Sequence, residues 1–346
     1  MHIFYLYLKQ MISTIKRENF FKAAIAMFVV VLSGSFLFKY FEKDVLFSDA
    51  LWWAIVTMTT VGYGDIIPAT PGGKIAGMGV MIVGIGFLGI FTATIASLFI
   101  ENKLMENKGM KPTDYKGHFI ICGWNFKGNE IIAELRADMK SCDIPIVIIA
   151  DISEKPVNDK YVHFIHGDIN PENLNKANIK KARTIIVLSD DHLDHYSRDA
   201  KTILNTLTIE SVCPGVYTCV ELMDANNVEH CKMANADEII VVGELSTNLL
   251  VQAALDHGIT RMISELVTNR YGKDLYKIPL PEAMAGNTFF DVLCELKKKH
   301  GFLCIGVAKN KDNRVNSNPD ADYLLEKDDK LIIIATKRPD KKTLTV

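Results

Sequence analysis

Two apolar runs near the start of the chain limit what it can become. Residues 21–41, FKAAIAMFVVVLSGSFLFKYF, carry basic charge only at Lys22 and Lys39, near the ends, where a long side chain can reach the membrane interface. Residues 74–100 are uncharged after Lys74. At about 1.5 Å of rise per residue, each run is long enough to cross a bilayer core. The first is too long for the apolar core of a signal peptide, and a second span follows it. Between them, residues 48–59, SDALWWAIVTMT, read as a short helix with Ser48 as N-cap and Asp49 in its first turn. Trp52 and Trp53 suit the interface. This helix is too short to span, so it dips in and returns as irregular backbone. Such backbone is tolerated at membrane depth only where protein buries it or where it lines a watery path.

The return leg is Thr60, Val61, Gly62, Tyr63 and Gly64. Its glycines permit left-handed backbone, so successive carbonyls, with the Thr60 hydroxyl, can turn toward one axis. Rings of such oxygens replace the hydration shell of K⁺. A ring needs several copies, and four close it, which predicts a homotetramer. The stretch TVGYG resembles, residue for residue, the selectivity filter of the potassium-channel pore family. That resemblance implies a pore domain over 21–100 and a K⁺-selective path through the carbonyls of Thr60, Val61, Gly62 and Tyr63. It also places Gly84, in the second span, where related channels carry the gating hinge of the inner helix.

Lys9, Lys16, Arg17 and Lys22 lie at or before the first span, and Lys103, Lys108 and Lys111 follow the second. The positive-inside rule then puts both termini, including the segment 1–20, in the cytoplasm, with the spans in the lipid of the cell membrane. No Arg-rich further span is present to sense voltage.

From residue 101 charges of both signs are interspersed as in a soluble domain. A net charge of -2 leaves no electrostatic footprint for nucleic acid. The seven cysteines (122, 142, 213, 219, 231, 294, 304) form no CxxC pair and read as reduced thiols. Residues 101–117, with Gly109 and Pro112, read as a linker that could reach about 50 Å if extended at about 3.3 Å per residue.

The run FIIC, followed by GWNFKG, reads as a buried strand and a turn into a helix. Gly123, Asn125 and Gly128 occupy the three positions of the dinucleotide fingerprint, with Asn125 replacing its middle glycine. IPIVIIAD ends a second strand at Asp151, where an acidic residue meets the ribose of a bound adenosine. Further strands end near Asp168, near Asp190 and around Glu221, each pair separated by a helical stretch. Alternating β and α elements predict a doubly wound parallel sheet with ligands beyond the carboxyl strand ends.

ICGWNFKG, HGD with LNKA, ARTIIVL and MANADEII together resemble the RCK domain (regulator of K⁺ conductance), also called TrkA-N or KTN. The chain is similar to calcium-gated archaeal channels of this kind. The resemblance implies a Rossmann-like N-lobe over 118–243, a crossover over 244–275 through which two domains dimerise, and a small α+β TrkA-C lobe over 276–346. Family rings contain eight domains. A pore-less product from an internal start at Met105 or Met110 would supply four of them. The calcium-gated relatives carry three carboxylates on strands four and five. Here Glu221 matches one, while Leu188 and Met223 stand at the others, so that calcium site is not retained.

The ligand set is therefore Gly123, Asn125, Gly128, Asp151, Asp168, Asp190 and Glu221. NAD(H), another adenine nucleotide and a bound ion all remain open, and the strand-end carboxylates favour a nucleotide. SDDHLDH, residues 189–195, reads as a solvated helix start or as a loop for a divalent cation, with His192 and His195 able to share a face. A membrane-anchored NAD(H) oxidoreductase would need a catalytic constellation, and His300 belongs to none. A transporter-regulatory subunit of the TrkA type would not need an intact filter. The leading expectation is a ligand-gated potassium channel and not an enzyme.

Overall fold

The computed structural model describes residues 18–309 and 314–339. The expectations for residues 1–17, including Lys9, Lys16 and Arg17, and for the last residues of the C-terminal lobe lie outside the described residues. The chain divides into two compact units, one ending at Glu106 and one starting at Asn107.

The first unit holds three helices: α1 (Glu18–Phe41), α2 (Phe47–Met58) and α3 (Pro71–Asn107). α1 and α3 are long and apolar enough to cross a membrane. Many of their large apolar side chains, among them Phe28, Ile82 and Phe99, face outward. That inverts a water-soluble core and suits lipid or neighbouring subunits. A small interior gathers Val31, Phe38, Trp53, Ala54, Met58 and Val80, with the rings of Phe38 and Trp53 stacked at 3.7 Å. α2 starts one residue earlier than the sequence predicts. Leu46, in extended conformation, is the N-cap and its carbonyl accepts from Ala50 N at 2.9 Å. Ser48 therefore lies inside the helix and does not cap it. At the start of α3, Pro71 occupies the first helical turn. The Thr70 hydroxyl accepts from Gly73 N while Glu42 accepts from Thr70 N at 2.8 Å and from its hydroxyl at 2.9 Å.

The second unit opens with β1 (Phe119–Cys122), α4 (Gly128–Ala137), β2 (Ile146–Ala150), β3 (Val162–His166), α5 (Pro171–Lys176), β4 (Thr184–Val187), α6 (His195–Val212), β5 (Thr218–Leu222), α7 (Val228–Met233) and β6 (Glu238–Val241). The six strands form one parallel sheet in the order β3-β2-β1-β4-β5-β6. This is the doubly wound order expected from the alternating pattern, with its switch point between β1 and β4. Every residue of β1 and β2 is buried, as a central parallel strand covered on both faces requires. Two helices, α8 (Val242–Leu255) and α9 (Ile259–Val267), follow. A second, antiparallel sheet in the order β7-β10-β8-β9 comes next, from β7 (Asp274–Pro279), β8 (Leu303–Ala308), β9 (Val315–Ser317) and β10 (Lys330–Ala335). The helix α10 (Phe289–His300) closes it, burying Phe289, Val292 and Leu296 against Ile278, Leu331 and Ile333.

From the sequence, the helix of span two stops before Pro112, and α3 ends at Asn107. The rest of the segment that reads as an extendable linker is hydrogen-bonded within the second unit. Thr113 N donates to Lys176 O at 2.9 Å and Gly117 N to Lys181 O at 2.7 Å. At the edge strand β3 the same strip gives His166 N a partner, the Gly109 carbonyl at 3.1 Å.

Candidate functional sites: the pore turn and the strand-end cleft

In the turn after α2, φ is positive at Thr60 (63°), Gly62 (55°) and Gly64 (75°), and not at Val61 or Tyr63. Alternating hand turns each peptide relative to the next, so the carbonyls along the turn come round to one side. The turn is tied to the end of α2: Val61 N and Gly62 N donate to Val56 O at 3.1 and 3.3 Å. Its outer end is held by Trp52 Nε1 donating to Asp65 at 2.8 Å, beside the stacked rings of Trp52 and Tyr63. Val61 and Tyr63 are exposed in the single chain. A Cβ at Gly84 would lie 2.9 Å from Met58 Cγ and 3.1 Å from Met58 Cα. Gly84 thus lets α3 pass against the last residue of α2, directly below the turn.

The second site lies at the carboxyl end of the sheet. A cleft of about 90 Å³ is lined by Gly123, Asp151, Gly167, Asp168, Asp190 and Lys201, with Trp124 and His192 at its walls. Four of the seven expected ligand residues, Gly123, Asp151, Asp168 and Asp190, meet here. Gly123 has φ 84° and a Cβ on it would sit 3.0 Å from Leu188 O, so the strand turn admits only glycine.

The other three do not line it. Asn125 is buried, with its amide donating to Ser189 O at 3.0 Å and to Glu221 at 3.3 Å. Glu221, also buried, accepts from Ser189 N at 3.2 Å and forms an ion pair with Lys127. Its oxygens are consumed inside the protein, because a buried carboxylate must be paired to stay charged. Gly128 lies beneath the Trp124 ring, which a Cβ there would approach to 2.6 Å. The glycine serves ring packing at the start of α4. The start of α4 is therefore a covered turn, with Asn125 filling the middle-glycine position.

Lys201 escaped the sequence reading. Its ammonium lies 2.9 Å from Asp190 and 3.8 Å from Asp168. Burial alone would raise the Asp190 carboxyl, but the hydrogen bonds from Lys201 and His192 N with the lysine's charge outweigh it and hold it below the usual range. The hydrogen bond to Asp190 likewise lifts Lys201 above the ordinary lysine value. A clue was present: Arg198 and Lys201 follow the acidic run at helical spacing, and Arg198 pairs with Asp191 at 3.4 Å. Asp194 is the N-cap of α6, accepting from Tyr196 N and Ser197 N. Among the described residues no three His, Cys, Asp or Glu side chains converge as metal ligands.

With this geometry in view, the comparisons are specific. Residues 25–101 match the family model described as ion channel, and residues 119–242 the TrkA-N domain. Residues 243–345 match the model described as Castor and Pollux, part of voltage-gated ion channel, over the crossover and the lobe that resembled TrkA-C. A calcium-gated potassium channel of Thermoplasma volcanium, TvoK, is 28% identical over 96% of this chain and 96% of its own. Potassium channel protein 1 of Methanocaldococcus jannaschii is 28% identical, covering 79% of this chain and 81% of its own. The human SLO3 gating ring shares the fold of the second unit, with a TM-score of 0.54 at 20% identity, over 66% of this chain and half of that one.

The chain is a membrane protein that joins an ion-channel pore unit to a TrkA-N (RCK) unit. Along nearly its whole length it is similar to an archaeal potassium channel.

Proposed function

We propose that four copies of the pore unit surround a K⁺ path lined by the carbonyls of Thr60, Val61, Gly62 and Tyr63, and that the RCK units, on the cytoplasmic side, open or close it when a ligand enters the strand-end cleft. The observation that carries this reading is the alternating hand of the backbone over Thr60–Gly64, which has no use in a surface loop and suits a column of oxygens. Gly84, packed on Met58, is the proposed pivot of the inner helix.

The gating ligand we favour is an adenine nucleotide, with Asp151 toward the ribose and Asp168, Asp190 and Lys201 around it. A cation is disfavoured because the Lys201 ammonium already occupies the carboxylate cluster. Two apolar faces support assembly into a ring: Tyr196, Leu204 and Leu207 on α6, and Leu250, Leu255, Met262 and Val267 on α8 and α9. Eight RCK units would need an internal-start product, which a blot of natively expressed protein would reveal as a second, shorter band.

The test is K⁺ efflux from liposomes holding the purified full chain. Gly64→Ala should abolish efflux, because the residue needs φ 75°, and ADP or NADH should change the rate in the unmodified protein. Equal efflux with Gly64→Ala would sink the pore reading. An unchanged rate and melting temperature with every nucleotide would sink the ligand reading alone.

A further inference from the structure

β3 is the edge strand of the parallel sheet, so the hydrogen-bonding groups on its outer side have no strand to pair with. One of them, His166 N, is taken by the segment that leaves α3, which also bonds to the loop after β2 and to the His163 ring. Lys155 N, in the loop after β2, donates to Asn107 O at 2.8 Å, and His166 N, at the end of β3, donates to Gly109 O at 3.1 Å. The His163 ring nitrogen Nε2 lies 2.7 Å from Lys111 O. Gly109 has φ 67°, and a Cβ on it would collide with the backbone nitrogen of His166 and sit 2.8 Å from Phe164 Cδ1. Only glycine allows this approach.

The residues that grip the segment adjoin those that line the cleft. The loop that carries Lys155 leaves the cleft at Asp151 and Ile152, and Gly167 and Asp168 directly follow His166. His166 Nε2 is 3.5 Å from the Asp151 carboxylate, and Gly167 N donates to Ala150 O at 3.0 Å, fastening the end of β3 to that of β2.

We propose that the ends of β2 and β3 form a clasp on residues 107–111, a coupling device through which occupancy of the cleft is passed to the chain that continues into α3. A ligand that draws Asp151 and Asp168 together shifts the two strand ends relative to each other, and with them the donors that hold Asn107 and Gly109. The shift transmits energy only as far as the ligand prefers one arrangement of the strand ends over the other. The inference rests on the reading of this cleft as the regulatory site. Protection of a sheet edge would need the same cover, so the test has to be functional.

Four full-length proteins in liposomes are compared: the natural sequence, Gly109→Val, Asp151→Asn and the double variant, each in K⁺ efflux and in hydrogen exchange of peptides covering 107–113 and 162–168. Gly109→Val should speed exchange in both peptides by about tenfold or more, as loss of a local protecting structure does. Asp151→Asn should alter efflux when Gly109 is intact and have no effect when Gly109→Val is also present. His163→Phe keeps an aromatic ring beside Tyr115 but removes the bond to Lys111 O; it should act in the same direction and less strongly. It carries the comparison if Gly109→Val yields no tetramer. The proposal is overturned if Asp151→Asn changes efflux equally with and without the linker variant, if it changes efflux in neither, or if the two peptides exchange alike in all proteins. Failure of ADP or NADH to bind leaves these outcomes unchanged and counts against the nucleotide alone.

Discussion

In the pore unit, Ile25, Phe28 and Ile82 stand in the open, whereas in the RCK N-lobe Ile120, Ile148 and Ile149 have no exposure at all. Both regions are rich in the same residue types, so composition does not separate them; the surroundings do. A soluble lobe must withdraw its isoleucines from water. A membrane helix meets lipid that is as apolar as they are, and saves close packing for its own contacts, such as Gly34 against Val80 and Gly84 against Met58. The two functional turns follow the same division. A Cβ on Gly123 would sit 3.0 Å from the Leu188 carbonyl of its own sheet, while a Cβ on Gly62 or Gly64 would meet nothing within 4 Å in the single chain. The cleft is lined within one copy, whereas the turn stands open in the single chain.

The same substitution at two isoleucines breaks this comparison most sharply. Ile148→Ala should cost about 2–5 kcal/mol of N-lobe stability, because it leaves a cavity in a fully packed strand. Ile25→Ala should stay within about 0.5 kcal/mol, the range of outward-facing sites. Hydrogen exchange of the β1 and β2 amides reads the first, and thermal dissociation of the assembly in detergent reads the second. Comparable losses at both positions would mean that Ile25 is packed in a core.

A smaller effect sharpens the picture of Glu221. Lys127→Met leaves a buried carboxylate without its cation, and should destabilise the N-lobe by about 1–3 kcal/mol, less than the roughly 3–5 kcal/mol of a fully buried broken pair because Lys127 is part-exposed. Full stability in that variant would mean that Glu221 is solvated and available to a ligand.

The smallest expected effect concerns pH. The Asp190 carboxyl is held below its ordinary value of 3.8, so its contribution to stability is fully present above that value and lost as pH falls below it, through the lowered one. Lys201→Met removes the pairing and leaves burial to push the carboxyl upward, so acid unfolding should begin at a higher pH. An unchanged acid midpoint would separate Lys201 from the cleft's electrostatics.

Much of the molecule was legible because its signals are local. Spans, re-entrant helix, TVGYG and the βα alternation each lie within a few dozen residues, and periodicity with turn chemistry exposes them. The start of α2 was missed by one residue, since Leu46 caps through its backbone while Ser48 only looks like a cap. The ligand set was harder. Asp151, Asp168 and Asp190 were found because strand ends in a doubly wound sheet share one edge. Asn125, Gly128 and Glu221 belonged to the same expected set and yet turned inward, and Lys127 lies 94 residues from the carboxylate it claims.

The sequence by itself determined that the chain has two helices long and apolar enough to cross a membrane, carries a glycine-bearing turn between them and continues as a parallel-sheet domain, because each follows from side-chain period and backbone freedom over short stretches. Only the tertiary structure decided that Lys201 fills the cleft, that Lys127 neutralises Glu221, and that Gly109 lies against His166. Lys201 lies 11 residues from Asp190 and the other two pairs are more than 50 apart, and their meeting depends on sheet order, strand register and the space left once the core has closed.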